Sequence, residues 1–361
     1  MSTEAARDWT RQREGGNRFS LHLIRAIARH GGRAAGRACL YPITAYFLLR
    51  RAPERAASRS YLWRVLGRPA RLRDIARHIH TFACTILDRV FMLSGQMQRF
   101  DIRTSGLDGL HTQLDRGQGV LVFGSHLGSF DALRVLAATR PDVQVRVVLD
   151  KGHNPAMTQL LDALNPELAR TVIDAGQDGP SIVLAIKQAT DAGALVALLV
   201  DRARPGEPSL PAPLLGARAP FPVAPWLIAG ALKVPVVLAF GLYRGGNRYD
   251  LDFEVFSEGL SITRHNRGSQ LADLVARYAQ RLEHHARRAP FNWFNFYDFW
   301  QSDDPHAQSV GRHDPAPHAR SEPPARVERP ERVEGPGVAP PADAGAGPAA
   351  VAGAARAGLR R

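Results

Sequence analysis

The middle of the chain alternates short apolar runs with stretches of helical periodicity. The apolar runs have the length of strands that are buried on both faces. The predicted strands are Val120–Phe123, Val143–Leu149, Thr171–Ile173 and Ala194–Val200. The predicted helices between them cover 128–139, 155–164 and 179–192. This alternation predicts an α/β fold with a mixed, largely parallel central sheet flanked by helices.

A hairpin and a long helix are expected to complete this fold. Val234–Tyr243 and Tyr249–Phe256 are apolar runs joined by a glycine-containing turn, which is the pattern of two antiparallel strands. Gln270–Arg287 has helical periodicity. Beyond the hairpin and helix, residues 303–361 contain no aromatic residue and ten of the 26 prolines, so we predict a disordered tail.

The N-terminal part is predicted to be helical and to lie at a membrane interface. Five arginines follow one helical face across residues 18–50, and apolar residues lie towards the other face. These arginines are Arg18, Arg25, Arg29, Arg33 and Arg37. The apolar run Ala38–Leu49 is too short to span a bilayer, which takes about 20 residues. An ordinary surface helix packed on the protein is the alternative interpretation. Residues 54–94 are predicted to be further helix.

The distribution of charge supports an anionic partner near the N-terminus. Residues 1–100 contain 19 arginines and six acidic residues, which accounts for the whole formal net charge of +13. The block predicts contact with an anionic membrane surface and no nucleic acid, because the predicted strands are apolar and do not interleave basic with aromatic residues. We therefore divide the chain into an interfacial helical region at 1–100, an α/β core at 101–302 and a tail at 303–361. The folded unit is expected to be 18–302.

The strongest chemical signal is the segment GSHLGSFD, at 124–131. A predicted strand leads into His126, and a helix is predicted to begin at Gly128 or Ser129. In open α/β sheets such strand ends carry the functional site.

The residues around His126 suggest how it could act. Asp131 can reach back to one imidazole nitrogen and raise the basicity of the other. The backbone N–H groups of Gly128 and Ser129 can face an oxyanion. The bland alternative is a histidine at a helix cap and a solvated aspartate.

A base of this kind suits acyl transfer from a thioester. The carbonyl of a thioester is already activated, so a hydroxyl acceptor needs a base and oxyanion stabilisation but no serine or cysteine nucleophile. The sequence has no GxSxG segment, and Cys39 and Cys84 are interpreted as core residues. No metal site and no cofactor are predicted. A non-enzymatic membrane- or nucleic-acid-binding protein that uses the basic N-terminus is the alternative function.

Several blocks together resemble a known family. GSHLGSFD, preceded by GQGVLVF, resembles the first motif of the lysophospholipid acyltransferase superfamily, and more narrowly that of the lipid A biosynthesis lauroyl/myristoyl acyltransferase family. A later block at 197–229 begins with ALLVDR and is similar to the family's second conserved region. The aromatic run NWFNFYDFW, at 292–300, is similar to its C-terminal segment. The likeness covers roughly residues 20–300.

The resemblance implies an enzyme, its substrates and its location. It implies an O-acyltransferase that takes a fatty-acyl group from an acyl-carrier-protein or CoA thioester and transfers it to a hydroxyl of a membrane lipid or glycolipid. The implied location is the cytoplasmic face of the inner membrane, with peripheral or monotopic attachment. The resemblance gives His126 the role of general base and Asp131 that of its orienting acid, and it places Asp201 with Arg202 as a second polar pair at the site. A structural ion pair is the alternative for Asp201 and Arg202.

The sequence departs from the family in the segment after the second predicted strand. Family members usually carry an arginine there, and Asp150 takes that place in this chain. Lys151 or His153 could compensate for the missing charge. The transmembrane helix usual at the family's N-terminus is also not recognisable. The acceptor is therefore left open between lipid A, another glycolipid and a polyene lipid.

Overall fold

The structure is a computed structural model that describes residues 32–134, 140–152, 155–203 and 206–300. The predicted tail, His153 and three of the stripe arginines, Arg18, Arg25 and Arg29, lie outside the described residues. The helices are α1 (Gly32–Arg50), α2 (Ala52–Leu66), α3 (Leu72–Leu93), α4 (Leu107–Asp115), α5 (Pro155–Leu164), α6 (Pro166–Thr171), α7 (Gly179–Asp191), α8 (Ala224–Leu232) and α9 (Arg267–Arg288). The strands are β1 (Asp101–Ser105), β2 (Val120–Gly124), β3 (Val145–Leu149), β4 (Ile173–Asp174), β5 (Leu195–Leu199), β6 (Ser209–Leu214), β7 (Ala217–Pro222), β8 (Val236–Gly245) and β9 (Arg248–Ser257).

A seven-stranded sheet forms the centre, with strand order β1-β9-β8-β2-β5-β3-β4. Every neighbouring pair is parallel except β8 and β9, which form the predicted antiparallel hairpin. β6 and β7 form a separate antiparallel pair. The predicted α/β class with a mixed, largely parallel sheet is therefore confirmed.

The central strands are buried on both faces, as the apolar runs predicted. In β2, Leu121 and Phe123 belong to the core on one side of the sheet, whereas Val120 and Val122 belong to the core on the other side. This alternation follows from the two-residue period of a strand. The first core is closed by α2, α8 and α9, and the second by α3 and α4.

The N-terminal helices are built into this core. Leu87, Phe91 and Met92 of α3 pack in the same cluster as Val122 of β2 and Val237 of β8. α1 packs in turn on α3. The described part of the 1–100 region thus shares a hydrophobic core with the sheet. The predicted boundaries at residues 100 and 302 stay predictions.

Two arginines of the predicted membrane stripe make contacts within the protein. Arg33 donates from Nε and Nη2 to the two carboxylate oxygens of buried Asp88, at 2.7 and 2.9 Å. Arg37 donates to the hydroxyl of Tyr243 at 2.9 Å. The prediction that these two side chains face lipid headgroups is therefore wrong. The reason is the buried carboxylate of Asp88, which needs a charged partner because it lies within the core.

Local signals explain where several helices begin. Asp178 accepts a hydrogen bond from the backbone N–H of Ser181 at 3.1 Å and so caps α7. Asn165 caps α6 in the same way through the N–H of Leu168, at 2.9 Å. α6 ends at Thr171, so the strand predicted at Thr171–Ile173 begins two residues later, as β4 (Ile173–Asp174). The helix predicted at 128–139 is instead a 3-10 turn at Phe130–Arg134 within the described residues.

Candidate active site

The register of two parallel strands brings His126 and Asp201 together. Gly124 at the end of β2 pairs with Leu199 at the end of β5. His126 and Asp201 each stand two positions beyond their strand ends. Because parallel strands present their carboxyl ends at the same edge of the sheet, the two side chains meet there. His126 Nδ1 lies 2.8 Å from Asp201 Oδ1.

Asp201 is the most completely bonded side chain of the site. Its side chain has no exposed surface, whereas that of His126 is 32% exposed. Oδ2 accepts two further hydrogen bonds, from the backbone N–H of His126 at 3.0 Å and from the indole N–H of Trp293 at 2.9 Å. A buried carboxylate with three donors remains charged at low cost. Asp201 therefore supplies a fixed negative charge beneath the imidazole.

This contact fixes the state of the histidine. Asp201 accepts at Nδ1, so the proton of a neutral imidazole stays on Nδ1 and the lone pair is on Nε2. Burial and the positive charge of Arg202 lower the pKa of His126, against the opposing effect of Asp201. Burial alone would raise the pKa of Asp201, but His126, Arg202 and the indole of Trp293 bring it down to about 2. At neutral pH the pair is a neutral imidazole on an aspartate anion, which is a state able to accept a proton.

Asp131 has a different partner from the one predicted. Its Oδ2 accepts from Nε of Arg89 at 2.5 Å, and the carboxylate is only 8% exposed. Arg89 belongs to α3, which packs against the 3-10 turn that carries Asp131. The hydrogen bond predicted from Asp131 to His126 is thus corrected by the structure, which gives Nδ1 to Asp201. The physical reason is that the parallel pairing of β2 with β5 brings Asp201 next to His126, although Asp131 is much nearer along the chain.

The two backbone N–H groups proposed for an oxyanion are already bonded. Gly128 donates to the carbonyl of Asn292 at 2.8 Å, and Ser129 donates to the carbonyl of Gly241 at 2.7 Å. Both bonds hold the loop 124–131 against its neighbours, β8 on one side and the segment 292–295 on the other. The prediction that these two groups face an oxyanion is therefore corrected for this conformation.

Glycine is required where the loop touches β8. Gly128 has a φ of +77°, and a Cβ built on it would lie 1.9 Å from the carbonyl oxygen of Gly241. A Cβ on Gly241 would lie 2.2 Å from the carbonyl oxygen of Ser129. The two backbones are therefore in direct contact. The position of His126 depends on this contact because the loop has no room to shift towards the sheet.

The C-terminal aromatic segment, 292–300, is hydrogen-bonded to the residues of the site. Trp293 donates to Asp201, and its carbonyl oxygen lies 2.9 Å from Nε2 of buried His78. The N–H of Phe294 donates to the carbonyl of His126 at 3.0 Å. Arg202 donates to Asn295 Oδ1 and to the carbonyl of Phe294, both at 2.7 Å. Arg202 is thus placed beside Asp201 in sequence and beside the aromatic segment in space.

Lys151 follows β3 at the same edge of the sheet. Its backbone N–H donates to Asp174 at 3.2 Å, and its carbonyl accepts from Thr158 at 3.5 Å. Asp150, next to it, is buried. The compensating role of the Lys151 side chain stays a prediction. Arg89 supplies a cation at the site that sequence reasoning did not single out.

Two residues of the site were missed for different reasons. Trp293 lies in an aromatic run that was recognised, but a run does not show which ring donates to a carboxylate. Arg89 is one of many arginines in the N-terminal hundred residues, and only the packing of its helix against the site distinguishes it from the others.

Within the described residues, no cluster of three or more His, Cys, Asp or Glu side chains is arranged to hold a metal. In the same part of the chain, every helix is too short or too polar to cross a membrane.

The α/β sheet thus presents a histidine–aspartate pair at its carboxyl edge, with His126 Nδ1 in contact with Asp201. The profile of the bacterial lipid A biosynthesis acyltransferase family matches residues 69–302, and the chain belongs to this family. It is an acyltransferase of lipid biosynthesis, and membership indicates an acyl donor, a lipid acceptor and association with a membrane. The match begins just before α3 and ends after the aromatic segment, so it covers every residue of the site. No curated protein matches the chain.

Proposed function

We propose that this chain transfers a fatty-acyl group from an acyl-carrier-protein or CoA thioester to a hydroxyl of a membrane lipid or glycolipid. The proposed location is the cytoplasmic face of the inner membrane. The observation that carries the proposal is the contact of 2.8 Å between His126 Nδ1 and Asp201 Oδ1, which leaves Nε2 as the basic nitrogen. Family membership favours this enzyme over a non-enzymatic membrane- or nucleic-acid-binding protein.

The proposed reaction is a single acyl transfer. Nε2 of His126 takes the proton of the acceptor hydroxyl while the oxygen attacks the thioester carbonyl. The charge of Asp201 stabilises the imidazolium that forms. The tetrahedral intermediate then expels the thiol, which leaves with the proton from Nε2. One C–O bond forms, one C–S bond breaks, and the histidine returns to its neutral state.

The first test is the loss of the base. We expect purified His126→Ala to transfer acyl groups from acyl-CoA or acyl carrier protein at least about 100-fold more slowly than the wild type, the lower range for a positioned general base. Its melting temperature is expected to fall modestly, because buried Asp201 loses one of its three donors and keeps the other two. Product formation is measured by mass spectrometry in detergent. An active His126→Ala variant would remove the basis of the mechanism.

The outer face of α1 is the proposed membrane contact. Tyr41, Tyr46 and Leu49 are 69%, 57% and 75% exposed. They recur on one side of a helix that has no charged residue between Arg37 and Arg50. An exposed apolar helix face with aromatic side chains is typical of insertion into the headgroup region, and exposed Arg50 at its C-terminal end adds attraction to anionic lipid. The contact is thus mainly apolar, unlike the arginine stripe expected from sequence.

A vesicle-binding measurement tests this surface. We expect the triple variant Tyr41→Ser, Tyr46→Ser, Leu49→Ser to bind vesicles of phosphatidylglycerol and phosphatidylethanolamine at least about tenfold more weakly, because burial of each large side chain contributes about 1.5–3 kcal/mol. Leu184→Ser is the matched control, since Leu184 is 55% exposed on α7. Turnover of a soluble acceptor is expected to survive in both proteins. Unchanged binding by the triple variant would assign attachment to another surface.

A further inference from the structure

Arg89 is a cation at the site whose Nη groups have no oxygen partner among the described residues. Its Nε is bonded to Asp131, and Nη1 lies 3.7 Å from the sulfur of Met157 in α5. A thioether is a weak acceptor. Among the described residues, neither Nη group donates to an oxygen. The Arg89 side chain is 28% exposed, so it is not sealed within the core.

The contact with Asp131 places the charge of Arg89 beside the loop that carries His126. Its partner Asp131 lies on the same loop as His126, in the 3-10 turn that follows it. The positive charge of Arg89 is one of the influences that lower the pKa of His126. Arg202, the other arginine that acts on His126, has Nε and Nη2 committed to Asn295 and to the carbonyl of Phe294. The guanidinium of Arg202 is thus bonded to the aromatic segment through two nitrogens, whereas that of Arg89 is bonded to an oxygen through Nε alone, among the described residues.

We propose that Asp131 serves the reaction through Arg89, and that the free Nη groups of Arg89 bind a phosphate carried by the acceptor near its reacting hydroxyl. Asp131 is then a positioning residue, and Arg89 is the residue that selects an anionic acceptor. A guanidinium whose Nε is fixed by a buried carboxylate presents its Nη donors in a defined plane, which suits two oxygens of a phosphate. This inference rests on the proposed acyl transfer.

The acceptor is favoured over the donor as the source of this phosphate. The phosphodiester of an acyl-carrier-protein donor, or the diphosphate of CoA, is separated from the thioester by the whole pantetheine arm. A phosphate bound by Arg89 lies close to His126, where the hydroxyl must be placed for proton transfer. A phosphate on the acceptor, a few bonds from that hydroxyl, fits this position.

The decisive experiment crosses two donors with two acceptors. The donors are acyl-CoA and acyl-N-acetylcysteamine, which has no phosphate. The acceptors are an amino sugar with a phosphate next to the free hydroxyl and the same sugar without it. We expect Arg89→Gln to raise KM at least about tenfold more for the phosphorylated acceptor than for the neutral one, with either donor. Arg89→Lys is expected to recover part of the loss because it restores the charge but not the planar fork. Arg73→Gln, an exposed position on the same helix, is the control.

A loss that followed the phosphate of the donor would overturn the assignment to the acceptor. Equal losses for all four substrate pairs would show Arg89 to be structural and overturn the proposal. Because Arg89→Gln leaves the buried carboxylate of Asp131 without its partner, the double variant Arg89→Gln, Asp131→Asn removes both charges and protects the test against misfolding.

A double-mutant cycle separates the two possible roles of Asp131. If Asp131 acts through Arg89, Asp131→Asn raises KM for the phosphorylated acceptor in the wild type and adds little once Arg89 is glutamine. If Asp131 instead acts on His126 directly, Asp131→Asn lowers kcat with both acceptors and does so in the Arg89→Gln background as well. The second result would overturn the proposal.

Anion binding without turnover distinguishes failure of this inference from failure of the proposed function. We expect inorganic phosphate at millimolar concentration to raise the melting temperature of the wild type and of Arg73→Gln more than that of Arg89→Gln. Stabilisation through Arg89 in a protein that transfers no acyl group would support the anion site and refute the proposed reaction. Acyl transfer with equal stabilisation of all three proteins would overturn the anion site alone.

Discussion

Two histidines in this molecule each contact carboxylates, and only one of them is available for chemistry. His126 contacts Asp201 through Nδ1 and is 32% exposed. His285 on α9 lies 2.8 Å from Glu254 Oε1 through Nε2 and 3.4 Å from Asp252 Oδ2 through Nδ1. His285 is 1% exposed, and Phe240 stacks on its ring at 4.1 Å. Both of its nitrogens are therefore occupied, and no substrate can reach them.

The two networks differ in charge balance and in the exposure of the imidazole, and we propose that this difference makes His126 the reactive histidine. Around His285, Arg281 and Arg288 also contact the two carboxylates, so charge is balanced within the network. Around His126, Asp201 is fully satisfied, but the imidazole keeps one nitrogen without an assigned partner among the described residues. A histidine between carboxylates is thus not in itself a catalytic signature. The free nitrogen and its exposure are what distinguish the site.

Of the changes considered, replacement of Asp201 should lower the activity of the His126 site the most. We expect Asp201→Asn to lower kcat by about 10³–10⁴, because the amide can donate to Nδ1, which moves the imidazole proton to Nε2. Initial rates with acyl-CoA over pH 5–9 measure the effect. Asp131→Asn serves as the matched variant, with a smaller loss that appears mainly in KM. If Asp201→Asn kept wild-type turnover, the imidazole would have to be oriented by another group.

Replacement of Trp293 should weaken the same network by less. Trp293→Phe removes the indole donor to Asp201, and hydrogen bonds to charged groups contribute about 1.5–3 kcal/mol, so kcat is expected to fall about 10- to 100-fold. With one donor fewer, Asp201 interacts more strongly with the imidazolium. The pKa of His126 rises, and the acid limb of the pH–rate profile moves to higher pH.

Trp300→Phe is the control for this variant, since the Trp300 indole donates to the carbonyl of Leu214 rather than to Asp201. We expect it to leave the pH–rate profile in place, whatever it does to the melting temperature. A shift of equal size in both variants would mean that the profile reports general loosening of the aromatic segment.

The network around His285 should be visible in stability instead of turnover. Burial alone would raise the pKa of Glu254, but hydrogen bonds with His285 and Arg281 bring it down to about 2 from an ordinary value of 4.5. The resulting stability is present above about pH 4.5 and is lost as the pH falls towards 2. Allowing for partial exposure, the loss is expected to be about 1 kcal/mol.

Urea unfolding between pH 3 and 7 measures this effect. Glu254→Gln should flatten the dependence in that window and leave the rate per folded molecule unchanged. A variant with the same acid dependence as the wild type would assign the acid sensitivity to other carboxylates. The pKa of Asp252 is also lowered, by hydrogen bonds from His285, Ser105 and Arg288 that outweigh its burial, so part of the dependence is expected to remain.

Periodicity was sufficient to predict the interior of the fold. Pro155–Leu164 was predicted at its observed bounds, and the hairpin of β8 and β9 was located to within two residues at each end. These elements bury one face or both, so burial imposes a pattern on the sequence. β1 escaped prediction because four of its five residues are exposed and it lies at the sheet edge. β6 and β7 escaped because proline interrupts them, which a separate two-stranded pair tolerates.

The site was predicted as a set of residues but not as a set of contacts. His126, Asp131, Asp201 and Arg202 were all named from sequence, and all four lie at the carboxyl edge of the sheet. Their partners were assigned by nearness along the chain, which favoured Asp131 for the imidazole. Only the register of β2 with β5 shows that a residue 75 positions away is closer. Contacts between distant segments leave no periodic signal, so sequence alone could not order them.

The backbone contact between Gly128 and Gly241 limits how this protein can vary over generations. Any residue other than glycine at either position would bring a Cβ to within about 2 Å of a carbonyl oxygen. A change to alanine, ordinarily among the mildest substitutions, would therefore push the loop that carries His126 away from β8. Populations of this gene should therefore tolerate change in the exposed parts of β9 far more readily than at this pair of small residues. Divergence in the enzyme's preferences has to arise from side chains that line the site, since the loop beneath them has no freedom to drift.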